Sequence, residues 1–431
     1  MDITPPVGVP LAGFGGGARR QWIPNINPSS YSHLLTPSTG VRDPICARAL
    51  YVTDGVTPVM FVSLDAIATT GPLVTVAWNK ARALGSTIDI DNLMVCSSHT
   101  HSGPGCLTHL MMWELLAVDL YNDQIFQDYT DGVAQAILQA ERNAIPARIG
   151  ASSGSLPGFT RNRRAGVSPV FKPDSVDPEV IVLRVDDAAG NPIATLWNYA
   201  IHGTCLGETS HLISADIMGA VNADLESRKL GVALFVNSGE GDIAPNFDDD
   251  AGIKQNSPLM ADGIAATRSA TATVGSLDIH DTSETIDLGA PFLDATAGRL
   301  VQQFSTTIQT TGWFAVLQQI GVTSLGVQIP IPQGWMERQF RFQAIRLGKW
   351  GFCAIPGEAI HTITYSLKAQ GVLLGYDHLF CCGLANGHAS YITTEQEFDA
   401  GGYEGISTLF GRDESDKVET GCLNQMTRVK P

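Results

Sequence analysis

The stretch NLMVCSSHTHSGPG, residues 92–105, opens on a short apolar run and closes on a histidine pair among Ser, Gly and Pro. Leu93-Met94-Val95-Cys96 is too brief for a helix and apolar at consecutive positions, as a strand buried on both faces is. The polar string after it is then a loop at that strand's carboxyl end. Three other runs repeat the arrangement. PIATLWNYA (192–200) leads into Ile201-His202-Gly203. VALFVN (232–237) leads into Ser238-Gly239-Glu240-Gly241-Asp242, and GFCAI (351–355) into Pro356-Gly357-Glu358. In open α/β sheets ligands bind at the carboxyl ends of strands, where loops converge. Glycine there lets the backbone turn sharply and approach a ligand closely. Four strand ends, each bearing His, Asp or Glu, predict a metal or acid/base site.

Outward from these strands the chain alternates. Ala47–Thr53 and Pro58–Ser63 read as a hairpin around Asp54-Gly55, and Glu179–Val185 with Pro192–Ala200 as a second. Helical spacing predicts helices over 72–84, 124–144, 215–230, 257–273, 290–307 and 360–370. Further strands are expected over 284–288, 323–330, 340–347 and 378–384. No internal repeat appears and no linker is long enough to divide the chain. The pattern predicts an α/β fold, mixed β-sheets with flanking helices, as a single domain over residues 1–431.

Composition narrows the function. With 431 residues, 44% hydrophobic and 16% charged, the chain is that of a folded globular protein. Its net charge of -16 excludes a general binder of nucleic acid or anionic membrane, which needs a basic face. No apolar run is long enough for a transmembrane segment. The N-terminus lacks the basic and apolar regions of a signal peptide, which leads us to expect a cytoplasmic location. The eight cysteines are dispersed and read as buried thiols of a reduced compartment.

Taken singly, the candidate residues have ordinary alternatives. In an extended stretch, His99 and His101 point to one face, as metal ligation requires; hydrogen-bonded loop histidines fit the spacing too. Glu358 after Pro-Gly suits a helix cap. Asp242 before Pro245 suits an Asx-turn. Trp113, Trp313, Phe314 and Trp335 read as core packing or as the lining of an acyl channel.

The strings carry more than spacing does. HTHSGPG (99–105), IHG (201–203), GEGDIAPN (239–246), PGE (356–358), YITT (391–394) and YEGISTLFG (403–411) occur in that order. DITPPVG (2–8), ARALYV (47–52), MFVSLDA (60–66) and the pair Asn162-Arg163 flank them. Together they resemble the catalytic domain of the neutral/alkaline non-lysosomal ceramidases, over residues 2 to 411. The resemblance implies a zinc-dependent amidase acting on a lipid N-acyl bond. It implies His99, His202, Glu358 and Tyr391 as ligands of Zn²⁺, and His101, Arg163, Tyr403 and Asp242 as catalytic. Two imidazoles, a carboxylate and a phenolate suit zinc, which lowers the pKa of a bound water to ~7.

Two departures accompany the likeness. The family motif GD-[VI]-S-P-N carries a serine with an assigned catalytic role, and here Ala244 takes its place. A metal-activated water survives that change; a serine nucleophile does not. The family's C-terminal immunoglobulin-like domain is expected to be missing, since about 100 residues are needed for a β-sandwich and few follow residue 411. The leading expectation is hydrolysis of an N-acyl amide or ester bond in a hydrophobic, lipid-like partner molecule. The alternatives are zinc acting as a Lewis acid in a cyclisation, elimination or isomerisation, and a non-catalytic lipid binder.

Overall fold

The computed structural model describes residues 1–295 and 327–431. Three sheets form its centre. The first runs in the order β1 (Ala47–Thr53), β2 (Pro58–Leu64), β3 (Leu93–Ser97). The second contains β4 (Ala147–Ser155), β5 (Glu179–Asp187), β6 (Pro192–Tyr199) and β7 (Val232–Asn237), in the order β7-β6-β5-β4. The third runs β8 (Ile279–Asp287), β9 (Gln339–Leu347), β10 (Trp350–Ala354), β11 (His378–Cys382). Most neighbours are antiparallel, but each sheet ends in one parallel pair: β2 with β3, β6 with β7, β10 with β11.

Parallel neighbours need a crossover, and a helix supplies each one. These are α1 (Gly71–Ala83) between β2 and β3, α3 (Asp216–Ser227) between β6 and β7, and α5 (His361–Leu374) between β10 and β11. The molecule is thus three β–α–β units, each widened by antiparallel strands. The helices α2 (Asp123–Arg142), α4 (Asp249–Ala270) and α6 (Glu414–Arg428) add a second helix to each unit's outer face.

Alternating side chains explain why both faces of each sheet are buried. Phe61 and Met94 of the first sheet, Leu183 and Leu234 of the second, and Phe352 and Phe380 of the third share one inner core. Phe352 packs against Phe61 at 4.5 Å and stacks on Phe380 at 4.2 Å. The residues beside them face outward. Met60 and Val62 meet Leu73, Val133 and Ile137. Trp197 and Phe235 meet Ile217, Val221 and Ile264. Cys353 and Cys381 meet Ile363, Val418 and Cys422. Trp197, with no exposed surface, donates from its indole nitrogen to Asn222 Oδ1 at 2.8 Å. Asn222→Leu strands that buried donor and is expected to cost about 1–3 kcal/mol, read as a lower urea midpoint. All eight cysteines are free thiols. Among the described residues no helix is long and apolar enough to cross a membrane.

Several sequence expectations need correction. The four strand ends do not belong to one open sheet but to three sheets meeting at a core. The helix expected over 257–273 begins at Asp249 and accommodates Pro258. The helix expected over 290–307 begins instead as a strand: Phe292–Ala295 pairs antiparallel with Val327–Pro330. The rest of that helix, residues 323–326 of the expected strand, Trp313 and Phe314 lie outside the described residues. The helix α6 carries a buried stripe of Val418, Cys422 and Met426 and went unpredicted.

Candidate metal and catalytic site

The carboxyl ends of the three parallel pairs converge on one site. His99 follows β3, His202 follows β6 and Glu358 follows β10. His99 has φ +68°, so the H-x-H segment is kinked at its first histidine and not extended. Thr100 then bridges to Gly203 in parallel fashion, and the His101 amide donates to the Gly203 carbonyl at 2.8 Å. A Cβ at position 203 would lie 2.6 Å from Thr100 Cα, so only glycine permits this approach.

The three rings converge by their Nε2 atoms. His99 Nε2 lies 3.2 Å from His202 Nε2 and 3.3 Å from His101 Nε2. Glu358 Oε2 sits 3.2 Å from the first and 3.3 Å from the second. The opposite ring nitrogens are held from behind. His99 Nδ1 lies 2.6 Å from the Ile67 carbonyl oxygen, and His202 Nδ1 2.8 Å from that of Glu240. Each carbonyl can only accept, so Nδ1 carries the proton and Nε2 presents its lone pair. In both cases the support follows the strand parallel to the one bearing the ligand. Outer hydrogen bonds of this kind fix the tautomer and orientation of metal-binding imidazoles.

The site is electrostatically unbalanced without a cation. Burial, then Arg163 and His99, lower the His202 pKa to about 3. Burial and its two histidine neighbours likewise hold His101 well below the ordinary value. His101 and His202 are therefore neutral, and the three Nε2 atoms meet at close range. Burial pushes the Glu358 carboxyl up, but His99 and His202 outweigh it and keep the group well below the usual carboxylate range. Its Oε2 is buried with no conventional hydrogen-bond donor. Neutral imidazoles and a carboxylate around one point are the donor set of a divalent transition metal. The three histidines, His99, His101 and His202, form a group able to hold a metal ion.

Arg163 flanks the cluster. Its Nε donates to Glu404 at 2.7 Å and its Nη2 to the Gly241 carbonyl at 2.8 Å. The same Nη2 reaches the Tyr391 hydroxyl at 2.9 Å, and Nη1 lies 3.2 Å from His202 Nε2. Desolvation opposes its charge, but Tyr391, Glu404 and Glu358 together raise its pKa. Tyr391 pairs in register with Glu358 across two short parallel strands. Burial, against the pull of Arg163, keeps its phenol pKa well above the ordinary value. Its ionisation therefore calls for a cation beside it. Tyr403 packs its ring on that of Tyr391 at 5.2 Å and is 43% exposed, at the mouth of the site.

Asp242 is placed differently from the expectation of a catalytic group. Its Oδ1 accepts the His361 amide at 2.8 Å, and its Oδ2 lies 2.6 Å from His361 Nδ1 and 2.7 Å from Asn162 Nδ2. Its carbonyl accepts the Arg163 amide at 2.9 Å. Asp242 thus caps α5, the task foreseen for Glu358, and fixes the Asn162 side chain and the Arg163 amide. The structure does not bring its carboxylate into the histidine cluster.

Two groups escaped the sequence reading. His388, 8% exposed, lies 3.8 Å from Glu358 Oε1 through its Nε2 and packs on Trp113 at 4.9 Å. Burial lowers its pKa to about 4. Glu240 is fully buried, and neither carboxyl oxygen has a partner. Burial and the nearby Glu358 raise its pKa well above the ordinary value. Glu240 stands in the quoted string after Val232–Asn237 but was given no role there. His388 lies close to the YITT string and reads from sequence as a loop histidine, and its approach to Glu358 crosses 30 residues.

The sequence pattern described as "Neutral/alkaline non-lysosomal ceramidase, N-terminal" matches residues 23–262 and 258–419. The chain belongs to this ceramidase family. It is 27% identical over 454 residues to the neutral ceramidase of Pseudomonas aeruginosa, covering 88% of this chain and 66% of the relative. It is 24% identical to neutral ceramidase A of Dictyostelium discoideum, covering 74% and 58%, and 24% identical to the neutral ceramidase of Mycobacterium tuberculosis, covering 76% and 62%. The chain therefore spans less than two thirds of the length of these ceramidases. A solved ceramidase described as complexed with C2 superposes with a TM-score of 0.80 at 20% identity, over 99% of this chain and 74% of that one. The crystal structure of the Pseudomonas aeruginosa enzyme gives 0.79 at 22%, over 99% and 73%. The α/β fold with mixed sheets is that of these ceramidases.

Proposed function

We propose that the chain is a zinc-dependent hydrolase of an N-acyl amide, or related ester, bond in a hydrophobic, lipid-like substrate. The observation that carries this reading is the convergence of three imidazole Nε2 atoms and the Glu358 carboxylate, with the tautomers of His99 and His202 fixed from behind. Family membership favours hydrolysis over a mass-conserving rearrangement. The relatives are named for ceramide, so an N-acyl sphingoid lipid is the first substrate class to test.

When bound, zinc supplies Lewis acidity and brings the pKa of a coordinated water to ~7. His99, His202, Glu358 and Tyr391 are the residues that would hold the ion. His101, free at Nδ1 and close to His99, is the group placed to pass a proton to the leaving amine. Arg163, pinned by Glu404 and the Gly241 carbonyl, stays charged and faces an oxyanion, a contribution of about 3 kcal/mol for one donor. Tyr403 orients the substrate at the entrance. Asp242 acts through Asn162 and His361 and is a positioning residue.

The test is zinc-loaded protein with N-acyl sphingoid lipids and short-acyl amide and ester surrogates, followed by product mass. Cleavage products whose masses sum to substrate plus one water are expected. A product of unchanged mass, or no cleavage of any of these by protein carrying zinc, overturns the reading.

Ala244 gives a second check. It lies on the strand Ile243–Pro245, opposite Arg161 of Thr160–Asn162, and is 8% exposed. Ala244→Ser restores the family hydroxyl. With a metal-activated water as nucleophile, kcat is expected to change by no more than about twofold, the scale of a neutral substitution. A gain of several orders of magnitude points to a serine nucleophile instead.

A further inference from the structure

The family reading leaves unexplained an apolar face that borders the site. Trp22, Ile23 and Ile26 are 63%, 85% and 92% exposed on a loop tip. Met111, Leu115 and Leu116 are 37%, 40% and 42% exposed on the segment 111–118. Exposed large apolar side chains are common singly; a group of this size marks a contact surface.

The two segments are tied together. Arg20 donates through Nη2 to the Leu115 carbonyl at 2.6 Å and through Nε to the Gly15 carbonyl at 2.6 Å. Asp119, fully buried, accepts the backbone amides of His33, Leu34 and Leu35 at 2.8–3.0 Å. The tip is thus anchored at its base by the residue that follows the 111–118 segment. That segment also reaches the site, since Trp113 packs on His388, which lies against Glu358.

The face is also poor in acid in a strongly acidic protein. The chain has 43 Asp and Glu, yet residues 3–42 contain neither, and residues 98–118 contain only Glu114. Glu114 is buried and accepts the Tyr121 amide. From elsewhere in the chain Glu208 reaches the base of the tip, where it accepts the Ala18 amide at 3.0 Å. Tryptophan and branched aliphatic residues, without carboxylates, are the composition that enters the interface of a bilayer. An overall charge of -16 disfavours an anionic surface.

We propose that this face docks the protein on a zwitterionic phospholipid bilayer and turns the mouth of the metal site toward it. The proposal rests on the reading of a lipid-like substrate and supplies its partner: the membrane in which that substrate is dissolved.

The experiment is sedimentation of the full chain with phosphatidylcholine vesicles, with and without phosphatidylserine. Wild-type protein is expected to sediment with phosphatidylcholine, and W22S/I23S/I26S to partition about tenfold more weakly or worse, from the apolar area lost. Because Ile23 and Ile26 are almost fully exposed, I23S/I26S keeps the fold and should show most of the loss; near-UV circular dichroism checks both variants. Absence of wild-type binding, equal binding by the variants, or a preference for phosphatidylserine overturns the proposal. So does a wild-type dimer that I23S/I26S dissolves without any vesicle binding. No turnover is read, so the outcome stands apart from whether zinc-loaded protein cleaves an N-acyl bond.

Discussion

Glu358→Gln is expected to leave the fold intact, empty the site of metal and lower turnover by a factor on the order of 10³ or more, since a catalytic ion contributes several kcal/mol of charge stabilisation. The substitution keeps the shape of the side chain. It removes the one anion that faces both the His99 and His202 Nε2 atoms, at 3.2 and 3.3 Å. The three imidazoles remain, and neither His101 nor His202 gains a proton at working pH, since both titrate far below it. Nothing is then left among these donors to offset a divalent charge in a buried pocket. Metal per chain by elemental analysis should fall below a tenth of wild type, while near-UV circular dichroism is unchanged. A variant that purifies with one metal per chain and retains turnover removes Glu358 from the ligand set.

The second large effect concerns stability. Arg164, fully buried, donates from Nε to Glu397 at 2.8 Å and from Nη1 to Glu404 at 2.8 Å, and both its Nη atoms reach the Gly401 carbonyl at 3.1 Å. Glu397 and Glu404 are themselves 1% and 3% exposed. Arg164→Met leaves two buried carboxylates short of a counter-charge and should cost about 3–5 kcal/mol. The loss falls on the short helices Glu395–Ala400 and Gly402–Ile406, which carry Tyr403. Glu404 also holds Arg163 at 2.7 Å, so the entrance loosens with them. Urea denaturation measures the cost. Adding Glu397→Leu should recover a substantial part of it, because one stranded charge is then gone. A single variant within 1 kcal/mol of wild type shows that the network is not what secures this corner.

The strands that deliver the site were legible because they are short, apolar and end abruptly in Gly-rich polar loops: Val232–Asn237 is found as read, and Leu93–Ser97 to within one residue. His99, His202 and Glu358 were assembled by the order of their strings, and they do meet. Which sheet each strand joins was not legible, since pairing is set by residues far apart in the chain. Leu93–Ser97 gives no hint that its neighbour is Pro58–Leu64 and not Val232–Asn237. The histidine pair converges through a left-handed turn at His99, which alternation along a strand cannot foresee. The strand at Phe292–Ala295 and the helix expected there compete for the same short apolar pattern, and the partner Val327–Pro330 decides between them. His388 and Glu240 escaped because their significance lies in what surrounds them, not in what precedes them.

No single β–α–β unit owns the cluster: the first gives His99 and His101, the second His202, the third Glu358. A chain emerging from synthesis therefore has no complete binding place until its last third has folded back onto the first. A captured ion is a seal on finished assembly, and a molecule that carries one has all three parts correctly seated.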